Sequence, residues 1–305
     1  MLPLLASLVL AQAQTSAPTG YTRFVTKADG TLEMSTAAQR LVAPGKPTVW
    51  LVGAIHIGSK PYYTSVQRLL DYSDQVFYEG VKAGPNAPSF ANIPAPKPGA
   101  PTPVYKILSD AIGLDFQLLD IDYRKPNWTN VDLTWAELDT LNKAAANGKP
   151  SQFDQIKGFL DPAGSQAKMM SSVLGMATPG MKEAIKILLV KAAGSGDTPG
   201  MDPATEAIIL KARNRTVVDA LAAASATPQP PSSIAVFYGA KHMPDLQATL
   251  VEKYGYRLDE KRWFPAATAD PKKVDATGQA MLGAMEKMLA SKNPLGGVST
   301  PAKSP

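Results

Sequence analysis

Apolar residues run along this chain in two rhythms. Val49-Trp50-Leu51-Val52 and Ile234-Ala235-Val236-Phe237-Tyr238 are short unbroken runs rich in β-branched and aromatic residues. They are too short for a core helix and give way to helical spacing, which predicts buried strands. Each run ends in the same device, Gly53-Ala54-Ile55-His56 and Gly239-Ala240-Lys241-His242. A third run, Gln75-Val76-Phe77-Tyr78, ends in Glu79-Gly80. Between the first and third, Ser59 as cap, Pro61 in the first turn and Val66, Leu69, Leu70 and Ser73 at helical spacing predict a helix. A strand–helix–strand unit with short loops makes the first and third strands parallel neighbours and brings His56 and Glu79 to one sheet edge.

The remaining pattern supplies the flanks. Thr22 to Lys27 and Thr31 to Met34 alternate about Asp29-Gly30, a hairpin signal. Gly84 to Pro103 holds seven prolines and is a long loop near the site, either a lid or disordered. Pro103 to Ile112 predicts a helix, Leu114 to Tyr123 a strand, and Asn130-Val131-Asp132-Leu133-Thr134 an entry into a helix carrying Leu138 and Leu141. Residues 151–194 predict a helical insertion of two or three helices, with Met169, Met170, Met176 and Met181 filling core gaps or capping the site. A helix over 203–224, a helix from Met243, a strand at 254–258 and an amphipathic helix over 275–291 follow. The predicted fold class is α+β, a central mixed sheet flanked by helices and built from two similar halves, each with one Gly-x-x-His exit. The expected organisation is a signal over 1–13, one domain over 21–265, a C-terminal helix over 273–292 and a disordered tail over 293–305.

The helix over 203–224 has an informative phase. At 100° per residue, Ile209, Ala212, Thr216, Val217 and Ala220 form one arc. Arg213 falls inside it, Glu206 joins it one heptad earlier, and Lys211 and Arg215 point away. An inward arginine is costly unless paired, so Arg213 is expected to meet a carboxylate, either Glu206 or a group of the site.

Composition narrows the chemistry. The 305 residues are 45% hydrophobic and 19% charged, ordinary for a chain that buries a core. The net charge of +5 is scattered, without a dense basic run or interleaved aromatics, so no nucleic-acid partner is expected. There is no cysteine, which excludes thiolate nucleophiles and Cys-ligated metals and leaves His and oxygen ligands for any ion. Leu2 to Leu10 is an apolar run followed by Ala11 and Ala13 at the spacing a signal peptidase reads, which points to cleavage after Ala13 and an extracytoplasmic protein. The run is too short for a stable membrane span.

Only two histidines occur in the chain, both at strand exits, where open α/β sheets place their ligands. Histidine serves as metal ligand or acid–base group. Gly53 and Gly239 allow a sharp turn or a close approach beside each.

These motifs, with Val76-Phe77-Tyr78-Glu79, Ala212-Arg213-Asn214 and Gly239 to Leu246, resemble the TraB/GumN family, which includes the Tiki Wnt-inactivating metalloproteases. The resemblance covers about residues 47–258. It implies a metal-dependent hydrolase site in which His56, Glu79 and His242 correspond to the family's histidines and glutamate, and Arg213 and Asn214 to its Arg-Asn pair. Ala54 departs from the small hydroxyl residue often found there. Two histidines and a carboxylate leave an open position on a divalent ion such as Zn, Mn or Co, which brings the pKa of bound water toward about 7. Arg213 would stabilise a developing oxyanion or hold a substrate carboxylate. The reading is an exported hydrolase acting on a peptide or small-molecule substrate. A sequestering binding protein of the same fold and a small-molecule esterase are the alternatives, and the sequence leaves the substrate, the metal and the oligomeric state open.

Overall fold

The apolar runs become neighbouring strands at the centre of a seven-stranded mixed sheet. A computed structural model describes residues 20–84, 102–160, 164–195 and 201–290. The segment expected to be a signal, nearly all of the proline-rich stretch and the expected C-terminal tail lie outside the described residues.

In chain order the elements are β1 (Thr22–Thr26), β2 (Leu32–Val42), β3 (Thr48–Ala54), β4 (Ile57–Gly58), α1 (Lys60–Asp71) and β5 (Gln75–Tyr78). Next come α2 (Val104–Ile112), β6 (Asp115–Phe116), α3 (Gln117–Asp120), β7 (Trp128–Asn130) and α4 (Trp135–Ala146). The helices α5 (Gln152–Leu160), α6 (Ser165–Met176) and α7 (Pro179–Ser195) follow. A long helix, α8, is continuous through Pro203–Glu206, a π-helical segment Ala207–Ala212 and Arg213–Ser225. The chain closes with β8 (Ser233–Gly239), α9 (Met243–Tyr254), β9 (Arg257–Ala269) and α10 (Ala276–Ala290).

Strands β3, β8, β5 and β7 are parallel in that order, and β2 joins antiparallel to β3, with β9 along its other edge. The hairpin β1–β2 forms as its turn residues dictate: Gly30 takes φ +87°, and the Asp29 carboxylate accepts the Thr31 amide. Ser59 caps α1 by accepting the Tyr62 amide, and Pro61 sits in the first turn.

Strand periodicity divides the core into two layers. Met34, Ala38, Trp50, Val52, Val76, Tyr78, Ala235 and Phe237 pack against α1, α7 and α10 through residues such as Tyr62, Val66, Ile187 and Leu282. Their sequence neighbours Ala37, Leu51, Phe77, Val236 and Tyr238 face Val217 and Leu221 of α8 and Leu246 and Leu250 of α9. Burial on both faces is why the β3 and β8 runs are continuously apolar. Truncating a fully enclosed ring such as Phe237 costs about 3–5 kcal/mol.

Three expectations are corrected. Leu114 to Tyr123 is not one strand: it turns into α3 after the two-residue β6. Strands β3 and β5 are parallel but not adjacent, because β8 inserts between them. Met169 and Met176 are 65% and 76% exposed and fill no core gap; the helical insertion enters the main core through Ala184, Ile187 and Val190 of α7, and Phe153 of α5 packs in a smaller cluster with Leu138 and Ile208.

Candidate functional site

Register brings three strand exits side by side. Ala54 pairs with Gly239 across β3 and β8, and Tyr78 with Phe237 across β5 and β8, so the chain leaves all three strands at one edge. The Glu79 amide extends the ladder to the Phe237 carbonyl at 3.0 Å. The glycines have a steric reason. A Cβ on Gly53 would stand 3.2 Å from both Ala240 Cβ and the Ala37 carbonyl, and one on Gly239 would stand 3.2 Å from Glu79 Oε2. The Gly239 amide donates to that same oxygen at 2.6 Å, an approach a side chain would crowd.

Arg213 is the electrostatic centre. It is buried on α8, as its phase predicts, whereas Arg215 is exposed. Its Nη2 donates to Glu79 Oε1 at 2.6 Å and to Asp132 Oδ2 at 2.6 Å, and its Nε donates to Asp132 Oδ1 at 2.9 Å. Its Nη1 lies 3.4 Å from the Ile209 carbonyl and 3.5 Å from His242 Nε2. The guanidinium is thus turned toward the chain's own acceptors, and the work left to it is to fix Glu79 and His242. Burial alone would raise the Glu79 carboxyl, but the Arg213 charge, with His242 and more distantly His56, holds it well below the usual carboxylate range. Glu79 is therefore an anion at any physiological pH.

Glu206 does not join this cluster. Its side chain is 45% exposed and faces Lys211 at 3.9 Å. The physical reason is the π-helical segment Ala207–Ala212: its i→i+5 turns are wider than α-turns and break the heptad relation between Glu206 and Arg213. Asp132 takes the place expected of Glu206. It sits in the loop after β7, wholly buried, where it also accepts the Gly80 and Leu133 amides.

The two histidines are held alike. Asn214 donates its amide nitrogen to the Asp245 carboxylate at 2.7 Å and the His242 carbonyl at 3.2 Å, which turns its oxygen toward His242 Nδ1 at 2.7 Å. With both amide protons committed to acceptors, His242 Nδ1 must carry the proton, and Nε2 presents a lone pair. His56 Nδ1 lies 3.2 Å from the oxygen of Gln117, whose nitrogen donates to Tyr123 Oη at 2.9 Å. The rings differ in access. His242 is 3% exposed, while His56 is exposed and stands 4.5 Å, centroid to centroid, from Tyr105 of α2. Burial, then the Glu79 charge, raises the Tyr105 phenol, which keeps it a neutral hydroxyl.

The donor chemistry suits a divalent ion. Imidazole Nε2 atoms and a carboxylate are Zn, Mn or Co ligands, and a ligating histidine usually donates its other N–H to a fixed acceptor. Glu79 Oε1 and His242 Nε2 are 3.6 Å apart, near the ~3.4 Å edge of a tetrahedral shell with bonds of about 2.1 Å. Among the described residues, however, no group of three His, Asp or Glu side chains stands close enough together to hold a metal ion. His56 is turned to Gln117, and Arg213 occupies Glu79 Oε1.

Sequence reasoning missed Asp132, Gln117 and Tyr105. Only Asp132 left a signal, as an acid immediately after a strand-like stretch on the same edge. Among known proteins, no family model, no curated protein and no solved structure matches the chain.

Proposed function

We propose that the chain is a metal-dependent hydrolase of the TraB/GumN type, acting outside the cytoplasm on a peptide substrate, with His56, Glu79 and His242 as its ligand set. The observation that carries this reading is the matched restraint of the two rings. Each has Nδ1 against a side-chain amide oxygen, and His242 offers Nε2 at 3.6 Å from a carboxylate that Arg213 keeps ionised. A bound divalent ion would supply a water of lowered pKa and an electrophile.

The chain's own residues do the rest. Asn214 orients His242, Gly239 and Arg213 hold the two oxygens of Glu79, and Asp132 fixes the guanidinium at two points so that it stays turned toward Glu79. Tyr105 stands beside His56 and faces the field of Glu79, at the more open side of the cluster, where a substrate would enter.

The test is metal analysis of protein purified without chelator, followed by hydrolysis of a mixed fluorogenic peptide library. About one divalent ion per chain, lost in His56→Ala and His242→Ala, with turnover abolished by chelator, supports the reading. Stoichiometric metal with no cleavage of any peptide replaces it with a sequestering protein. Absence of metal leaves an acid–base or binding cleft.

A further inference from the structure

We propose that Gln117 is the positioning residue of His56: it fixes the Nδ1–H tautomer and so aims Nε2 at the site, as Asn214 does for His242. The inference deepens the metal-dependent reading and rests on it for its purpose, though not for its geometry.

The backbone sets up the pair. Strands β4 and β6 form a two-stranded ribbon in which Gly58 pairs with Asp115 and Ile57 with Phe116. The next pair in that antiparallel register is His56 with Gln117, and the Gln117 amide donates to the His56 carbonyl at 3.0 Å. The turn before His56 is tied down as well, by Tyr63 Oη donating to the Ile55 carbonyl at 3.1 Å. Directly opposed residues lie side by side, so the imidazole and the amide meet without a loop having to place them.

The side chain is enclosed at both ends. Gln117 is 5% exposed, and Tyr123, which receives its amide nitrogen, is 4% exposed. Tyr123 remains a neutral hydroxyl because burial pushes its phenol far up. With the nitrogen on Tyr123, as the structure places it, the oxygen faces His56 Nδ1 and accepts its proton; the reversed amide, with Tyr123 donating to the oxygen, would set an N–H against Nδ1 and give an Nε2–H ring. Gln117 also opens α3, where its carbonyl receives the Ile121 amide at 3.1 Å, so both ends of the residue are anchored. An exposed imidazole without such a partner would favour the opposite, Nε2–H form and present no lone pair at Nε2.

With only two histidines in the chain, the tautomers can be read directly. Long-range proton–nitrogen spectra of the 15N-labelled full chain, taken in chelator at about pH 8.5, some two units above the ordinary imidazole pKa, show each ring separately. His56→Ala, at an exposed position, assigns the signals. Both rings are expected as Nδ1–H. Gln117→Leu should move His56 to a mixed or Nε2–H pattern and leave His242 unchanged, and Gln117→Glu, which keeps an acceptor, should retain Nδ1–H. An Nε2–H pattern for His56 in the unmodified protein overturns the assignment without any variant, and so does a Gln117→Leu spectrum identical to it. The His242 signal reports in every sample whether the fold is intact. Titration with Co²⁺ alone separates the two claims: Gln117→Leu should bind about 10- to 100-fold more weakly. If the unmodified chain takes up no Co²⁺, the metal reading fails while the tautomer result still decides the role of Gln117.

Discussion

Asp132 grips Arg213 at two points, Oδ1 accepting Nε at 2.9 Å and Oδ2 accepting Nη2 at 2.6 Å, with side chains 0% and 7% exposed. A two-point pair of this kind is the strongest form of charge-assisted hydrogen bond, and removing Arg213 strands two carboxylates in the interior, whereas removing Asp132 leaves the arginine paired with Glu79. Arg213→Ala should therefore cost about 3–5 kcal/mol and Asp132→Ala less, because Glu79 still pairs the arginine, while Arg215→Ala stays within about 0.5 kcal/mol of the parent. Urea unfolding of the three variants checks this. Equal stability of Arg213→Ala and Arg215→Ala would count against the buried pair.

The two motif glycines should fail in different ways. Around Gly53 the crowding atoms are the Ala37 carbonyl and Ala240, held in or at the end of adjacent strands that cannot give way. Gly53→Ala is expected to cost about 1–3 kcal/mol by overpacking. Around Gly239 the close atom is Glu79 Oε2, the end of a side chain that can swing. Gly239→Ala should thus melt closer to the parent yet displace Glu79 and weaken divalent-ion uptake. Thermal melts and Co²⁺ titration of both proteins separate the two effects, and the opposite ranking would refute the steric account.

Acid should loosen the loop that carries Asp132. Thr134 and Glu137 form a reciprocal cap on α4: the Glu137 carboxylate accepts the Thr134 amide and hydroxyl, both at 2.7 Å, and the Thr134 hydroxyl accepts the Glu137 amide at 3.2 Å. The donated Thr134 amide, then its hydroxyl, hold the Glu137 carboxyl below its ordinary 4.5. A depressed folded-state pKa means stability that is complete above about 4.5 and lost as pH falls through the folded value. Thr134→Ala should cost about 1 kcal/mol at pH 7. Stability of the parent and of Glu137→Gln, compared from pH 7 down to about 3, should converge below about 4.5. A gap that stays constant would show that the carboxylate is not charged in the cap.

Much of this architecture is legible in the sequence because burial on both faces leaves uninterrupted apolar runs, and because glycine at an exit records a close approach. Hence β3, β5 and β8, their shared edge and the inward Arg213 can be read directly. What stays hidden depends on partners distant in sequence. Nothing local says that β8 inserts between β3 and β5, since β8 follows both only far along the chain. Gln117 looks like one polar residue in an apolar stretch, and only the register of β4 with β6 sets it against His56. The Glu206 expectation failed because phase arithmetic assumes α-helical turns, which the π-helical segment does not keep. Glu206→Ala should accordingly leave stability within about 0.5 kcal/mol.

Asn214 offers the sharpest test of how His242 is set, because one near-isosteric change reverses a donor. Its amide nitrogen serves two acceptors, the Asp245 carboxylate and the His242 carbonyl, while its oxygen serves the ring. Asn214→Ala strips all three contacts inside a site where Asn214 is 2% and His242 3% exposed. Each polar group left without a partner costs about 1–3 kcal/mol, so a substantial loss is expected. Asn214→Asp keeps the shape and the acceptor for Nδ1 but has no proton for Asp245, and it sets a second carboxylate against the first. It should be at least as destabilised as Asn214→Ala at pH 7 in chelator-treated protein, because repulsion is added to the lost donor. Were the amide turned the other way, with its nitrogen against the ring, Asp245 would already lack its donor in the parent, and Asn214→Asp would fall little below the parent. The denaturant midpoint of Asn214→Asp against the parent's therefore checks whether the amide nitrogen is Asp245's donor, and with it whether His242 Nδ1 donates to the Asn214 oxygen.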